Sequence, residues 1–247
     1  MVLAVALTAE ERLITIRVKI KRAKKHLSEL ERVAGRYRDR YAHVVPAGAK
    51  PKSSQGKPNL IRLPIIHFDM LAMAGDVLHN LRSALDHVVY HLALVADPNA
   101  SDDVLRKVAF PIGKSLEDYK TLRTRRLEGV IKPRAVKFID SLKPYKGGND
   151  ALWRLNEASN IDKHRKLINV GVDILCEGDG FEGTFWLKAD DPAFHSVFVP
   201  ERKQLHTGIE SPLELLIAER DALVPALHQL TNYVEALIEY HFKDFLE

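Results

Sequence analysis

The chain has 247 residues, with 37 Lys+Arg against 33 Asp+Glu and a net charge of +4. Its composition, 46% hydrophobic and 28% charged, is that of a globular chain able to bury a sizeable core and excludes a disordered one. The single cysteine, Cys176, excludes a disulfide framework, and no apolar run of about 18 residues offers a membrane span.

The apolar start Met1–Leu7 has no basic flank and is too short for a signal peptide, so the expectation is a soluble, cytoplasmic protein of one domain. Leu13, Ile16, Ile20, Ala23, Leu27, Leu30, Ala34, Tyr37 and Tyr41 recur in alternating steps of three and four, the seam of a long packed helix over 8–44. Thr8 and Glu11 form a capping box at its start. Between Glu11 and Tyr41 lie eleven Lys or Arg and four acids, including Lys21, Arg22, Lys24 and Lys25, which suit a polyanion such as RNA. A solvated helix face is the simpler reading of the same run.

Pro- and Gly-containing sequence from Pro46 to Asn59 reads as a loop, and Leu60–Ile66, with Pro64, as a short edge strand. A second long helix is expected over 67–96, and shorter helices between Phe110 and Lys166, with a cap from Ser115 to Asp118. The period then becomes two. Segments 167–175, 181–189 and 194–199 predict a three-stranded antiparallel β-meander. Ser211, Pro212 and Glu214 predict the start of a last helix to 245, kinked at Pro225. The fold class expected is mainly α: a bundle of long helices over 8–166 and 212–245, with the meander at 167–200 beside it.

The second helix has two unlike halves. At 100° per residue, Val77, Leu78, Leu81, Ala84, Leu85, Val88, Val89 and Leu92 share one arc and form a core face. The other half carries Asp76, His79, Asn80, Arg82, Ser83, Asp86, His87, Tyr90 and His91, without a Lys or Glu. Such side chains exchange protons, hold metal or contact phosphate; equally, they build buried networks that fix helix register. A second polar cluster, Asn160–Ile161–Asp162–Lys163–His164–Arg165, closes the helix before the predicted sheet. Its cations also suit a helix C-terminus.

Gly75–Asp76–Val77–Leu78–His79–Asn80–Leu81–Arg82–Ser83–Ala84–Leu85–Asp86–His87, with the downstream Asn160–Arg165 motif, resembles a group of uncharacterised bacterial and phage proteins. Arg82 and His87, with four residues between them, also resemble the motif of the HEPN superfamily, with Ser83 where that family usually has Asn, Asp or His. The resemblance implies an all-helical, often dimeric protein and metal-independent ribonuclease chemistry of toxin and phage-defence systems. His87 would then act as general base and Arg82 would stabilise the phosphorane, with Asp86, His79 or Tyr90 orienting the histidine or protonating the leaving oxygen. No cofactor is implied. A homodimer and a regulatory protein partner are expected.

Two other readings stand beside it. A metal-dependent hydrolase would draw on Asp76, His79, His87 and His91, with Asp162 and His164 completing the shell. A non-catalytic helical interaction protein would use the polar stripe as structure and the basic helix as a docking surface.

Overall fold

The computed structural model describes residues 7–41, 59–61, 68–164, 171–178, 181–188, 197–199, 204–210 and 223–247, with side chains over 7–36, 69–160 and 223–247. The chain divides into two compact units. One comprises Met1–His26, Asp76–Asn160 and Leu227–Glu247; the other comprises Leu27–Gly75 and Ile161–Ala226.

The helices follow the apolar periods. Helix α1 (Ala9–Tyr41) starts at a reciprocal capping box: the Thr8 backbone N–H donates to Glu11 Oε2 (2.7 Å) and the Glu11 N–H to Thr8 Oγ1 (3.2 Å). Its seam residues Leu13, Ile16, Ile20, Ala23, Leu27 and Leu30 are all buried. Helix α2 (Phe68–Ala96) buries all eight residues of its core face. Its C-terminus meets Asp97–Asn99, where Asp97 Oδ1 accepts from the Asn99 N–H (2.9 Å).

Three short helices follow in the first unit, α3 (Asp102–Leu105), α4 (Leu116–Leu127) and α5 (Pro133–Ser141). The Ser115 hydroxyl caps α4 by accepting from the Asp118 N–H (3.2 Å), and Pro133 occupies the first turn of α5, where its missing N–H removes no helical bond. Helix α6 (Asp150–His164) opens on Asn149, which accepts from the Leu152 N–H (3.1 Å) and donates to the Tyr233 hydroxyl (2.6 Å). Helix α7 (Leu223–Leu237) continues as a π-helical turn, Ile238–Phe242, and a 3₁₀ turn, Lys243–Phe245. Buried Phe242 sets its edge against Phe110 and Phe138, with ring centroids 6.1 and 5.1 Å away. The first unit is thus helical, closed around α1, α2 and the C-terminal turns.

Pro225 is the third described residue of α7; the residues before Leu223, against which the expected kink would be judged, lie outside the described residues. The expected cap at Ser211, Pro212 and Glu214 lies outside the described residues, as does Pro64.

The three-stranded meander is overturned. No strand occurs among the residues whose side chains are described, and the backbone of the second unit pairs differently from the prediction. Strands β2 (Gly171–Gly178) and β3 (Phe181–Lys188) form the expected hairpin, with Gly178 opposite Phe181. The third neighbour is β5 (Gln204–Glu210), which pairs antiparallel with the other edge of β2 and gives the order β3-β2-β5. Strand β4 (Val197–Val199), within the predicted third strand, instead pairs with β1 (Asn59–Ile61). Alternation identifies extended segments, but the choice of partner strand is a long-range event that local pattern does not encode. The missed β5 carries only a short signal, in Leu205, Thr207 and Ile209.

Among the described residues, no helix is long and apolar enough to cross a membrane.

Candidate functional site

The polar half of α2 separates into two groups, both within the first unit. The first is centred on the backbone of Phe110. Asp86 Oδ1 accepts the Phe110 N–H (2.9 Å), and Arg82 Nη2 donates to the Phe110 carbonyl (2.7 Å). One side chain thus takes the peptide donor and its i+4 neighbour takes the acceptor of the same residue. Arg82 Nε also donates to Asn156 Oδ1 (3.2 Å), which ties in α6. Arg82 Nη1 lies 2.8 Å from Asp86 Oδ1 as an ion pair, without the alignment of a hydrogen bond. Arg126 of α4 gives the same carbonyl a longer contact of 3.3 Å.

This group is largely dry. The Arg82 side chain is only 9% exposed. Burial pulls its pKa below the usual arginine value, and the Asp86 charge opposes that shift. Arg126 is also lowered, by burial first and by the charge of Arg82 next. Two guanidiniums and a carboxylate therefore converge on a main-chain amide that would otherwise stand unpaired at the end of a loop.

The second group faces α1. His91 is buried, and its Nε2 lies 2.6 Å from Thr15 Oγ1. Thr15 donates its hydroxyl proton to the Arg12 carbonyl (2.7 Å), so the histidine is the donor to Thr15 and carries its proton on Nε2. Nδ1 then presents a buried lone pair without a hydrogen-bond partner among the described residues. The His91 pKa is pushed down to about 4, by burial first and then by His87 and Arg12. His87 is half-buried, one turn away with ring centroids 6.3 Å apart; burial, then Lys19, lowers its pKa while Asp86 raises it. Tyr90 sets its ring edge-on to His91 at 5.4 Å and is 37% exposed.

Arg82 and His87 thus engage different neighbours. Arg82 serves the Phe110 amide and Asn156, whereas the His87 ring neighbours His91; Asp86 acts on both, as the ion partner of Arg82 and by raising the His87 pKa. His79 is exposed, and Asp76 lies 3.8 Å from His26 Nδ1 across to α1. Of the alternative metal ligands Asp76, His79, His87 and His91, only the last two come together as a ring pair. Among the described residues, no three His, Cys, Asp or Glu side chains are grouped so as to hold a metal ion. In the second cluster, the α6 backbone is helical through Asp162 and His164; their side chains, and Arg165, lie outside the described residues.

On α1, Lys21, Arg22, Lys24 and Lys25 are all exposed. Lys24 pairs with Glu235 of α7 (2.6 Å). Arg17 binds Glu239 through Nε and Nη2, both at 2.7 Å, and reaches Glu10 at 2.8 Å. This fork raises the Arg17 pKa and, as its largest effect on the partner, lowers that of Glu239. Among the described residues, Lys21, Arg22 and Lys25 make no ion pair. Beside them, Ile14, Val18 and Lys21 edge a surface groove of about 410 Å3 whose far wall is Glu235 and Glu239.

Sequence reasoning missed Phe110, Arg126, Asn156 and Thr15. The Phe110 contribution is a peptide group, which leaves no mark in the sequence, and the other three become polar partners only through tertiary packing. No family model, curated protein or solved structure matches this chain.

Proposed function

We propose that this chain is a non-catalytic helical interaction protein, with the polar half of α2 serving as structure and α1 as the contact surface. The observation that carries this reading is the engagement of Arg82. A guanidinium meant to stabilise a phosphorane must present donors to a ligand, whereas this one is buried, spends Nη2 and Nε on Phe110 and Asn156, and is paired with Asp86. His87 makes none of those contacts: its ring lies 6.3 Å from that of His91, and burial, then Lys19, lowers its pKa while Asp86 raises it. The test is cleavage of end-labelled RNA by the purified chain in excess EDTA, with Arg82→Ala and His87→Ala alongside. No cleavage is expected, with Arg82→Ala measurably less stable than the parent. Cleavage in chelator that both substitutions abolish, with the fold retained, overturns the reading in favour of the Arg–His ribonuclease.

A second reading, RNA binding without cleavage, is favoured by exposed Lys21, Arg22 and Lys25, which lack ion pairs among the described residues. Phosphate contacts of that kind make affinity fall steeply with salt. Retention of single-stranded RNA at low salt, lost on Lys21→Ala/Arg22→Ala, is the outcome it requires.

A further inference from the structure

The outward face of α1 in the first unit is ordered by chemistry along its length. Seven residues fall within about 60° of one line on the helix surface, at 100° per residue. Nearest the N-terminus are the exposed acids Glu10 and Glu11. Next come Ile14 and Val18, 49% and 57% exposed although both are large and apolar. The exposed cations Lys21, Arg22 and Lys25 complete the face. Leu7, 39% exposed, lies just before the helix.

An acidic end, an apolar middle and a basic end make a surface that is its own complement when reversed. Place a second α1 antiparallel against the first, with a two-fold axis level with Ile16. Ile14 then meets Val18 of the second copy, and Val18 meets its Ile14. A two-fold across the pair keeps left-hand positions opposite left-hand positions. Lys21 and Glu10 both lie to one side of the central line, and Arg22 and Glu11 both lie to the other. Lys21 therefore comes opposite Glu10 of the second copy, and Arg22 opposite its Glu11. Both charge pairings follow from one choice of axis, which also brings Ile14 and Val18, about 20° to either side of the central line, within reach of each other. Glu10 keeps Oε2 for this contact, since Arg17 binds through Oε1.

Resting on the reading of α1 as a contact surface, we infer that the chain self-associates through this face, as an antiparallel α1–α1 pair about Ile16. A two-helix contact of this length belongs at the small end of specific interfaces, about 1,200 Å2 or less in total, so the dimer is weak and salt-sensitive.

The test is sedimentation equilibrium of the full chain from about 5 to 200 µM at low and high salt. The parent should show a reversible dimer that weakens with salt. Val18→Asp, and separately Lys21→Glu/Arg22→Glu, should each weaken it at least about tenfold while leaving the helical circular dichroism and melting temperature unchanged. Carbodiimide cross-linking of a 1:1 mixture of ¹⁵N-labelled and natural-isotope parent protein should yield mixed-isotope Lys21–Glu10 peptides, which report the contact without any substitution. A chain that stays monomeric, or a dimer indifferent to both variants, overturns the inference. So does a monomer that binds single-stranded RNA through Lys21 and Arg22. The variants leave α2 untouched, so a failed dimer and a positive RNA-cleavage result are separable outcomes.

Discussion

Arg82→Ala separates a structural from a catalytic role for the polar half of α2. Truncation removes the 2.7 Å bond to the Phe110 carbonyl and the 3.2 Å bond to Asn156, and leaves Asp86 without the guanidinium 2.8 Å away. Breaking a fully buried ion pair costs about 3–5 kcal/mol. Asp86 is 35% exposed and can recover part of its solvation, and Arg126 retains a 3.3 Å contact to the stranded carbonyl. Those two effects reduce the loss to about 2–4 kcal/mol. For a chain of this size that is a fall of roughly 5–15 °C in melting temperature. Arg82→Lys should recover little, because an ammonium on a flexible stem cannot reproduce the planar fork that reaches both Phe110 and Asn156. Urea denaturation followed by circular dichroism at pH 7 measures the loss directly. An Arg82→Ala protein with the parent's urea midpoint and slope refutes the argument, because no clamp of this geometry is silent when removed.

Three further outcomes follow from the same geometry. The His91 pKa lies near 4, below its unfolded value of about 6.5, so the unfolded chain binds the extra proton between those limits and stability falls as pH drops through that window. Unfolding free energies from urea denaturation at pH 7 and pH 4.5 should therefore differ by less in His91→Phe than in the parent, by roughly 1–3 kcal/mol; an equal difference refutes the assignment. A double-mutant cycle on Arg17→Ala and Glu239→Ala should return a coupling of about 0.5–1.5 kcal/mol, discounted for the 39% and 28% exposure of the two side chains, and halved or more in 1 M salt. Gly113→Ala should destabilise by about 2–3 kcal/mol in thermal melts, because an added Cβ would lie 2.7 Å from the Ser115 carbonyl oxygen and closer still to the Tyr119 backbone nitrogen.

The helices of the first unit were legible because their signals are local and redundant. In α1, the capping box and the first six seam residues agree; in α2, the core arc derived from a 100° step is the arc that is buried. The polar half of α2 was legible as unusual, but its purpose was not. Nothing in Arg82 or Asp86 says that their target is a peptide group 28 and 24 residues downstream, and Phe110 signals only an apolar ring. The sheet failed for the same reason on a larger scale: the hairpin of β2 and β3 is a contact between neighbours, whereas β5 reaches β2 across an intervening strand that pairs elsewhere. The wide turn after Leu237 left no mark either, since Ile238–Phe242 reads as ordinary helix.

That wide turn sets the phase of the chain's last segment. With five residues spent where an α-helix spends fewer, everything after Ile238 is rotated relative to the pattern of α7. Glu239, one turn beyond Glu235, faces α1 as an ordinary helix would place it, Tyr240 points outward at 79% exposure, and the wide turn brings Phe242 inward to Phe110 and Phe138. The turn acts as a vernier that sets the phase of Phe242 relative to the acids Glu235 and Glu239, which face α1. Its consequence is a tolerance of length: a residue gained or lost at this point can be absorbed as a change in winding, whereas the same change within α7 would swing Phe242 away from its place between the two phenylalanines.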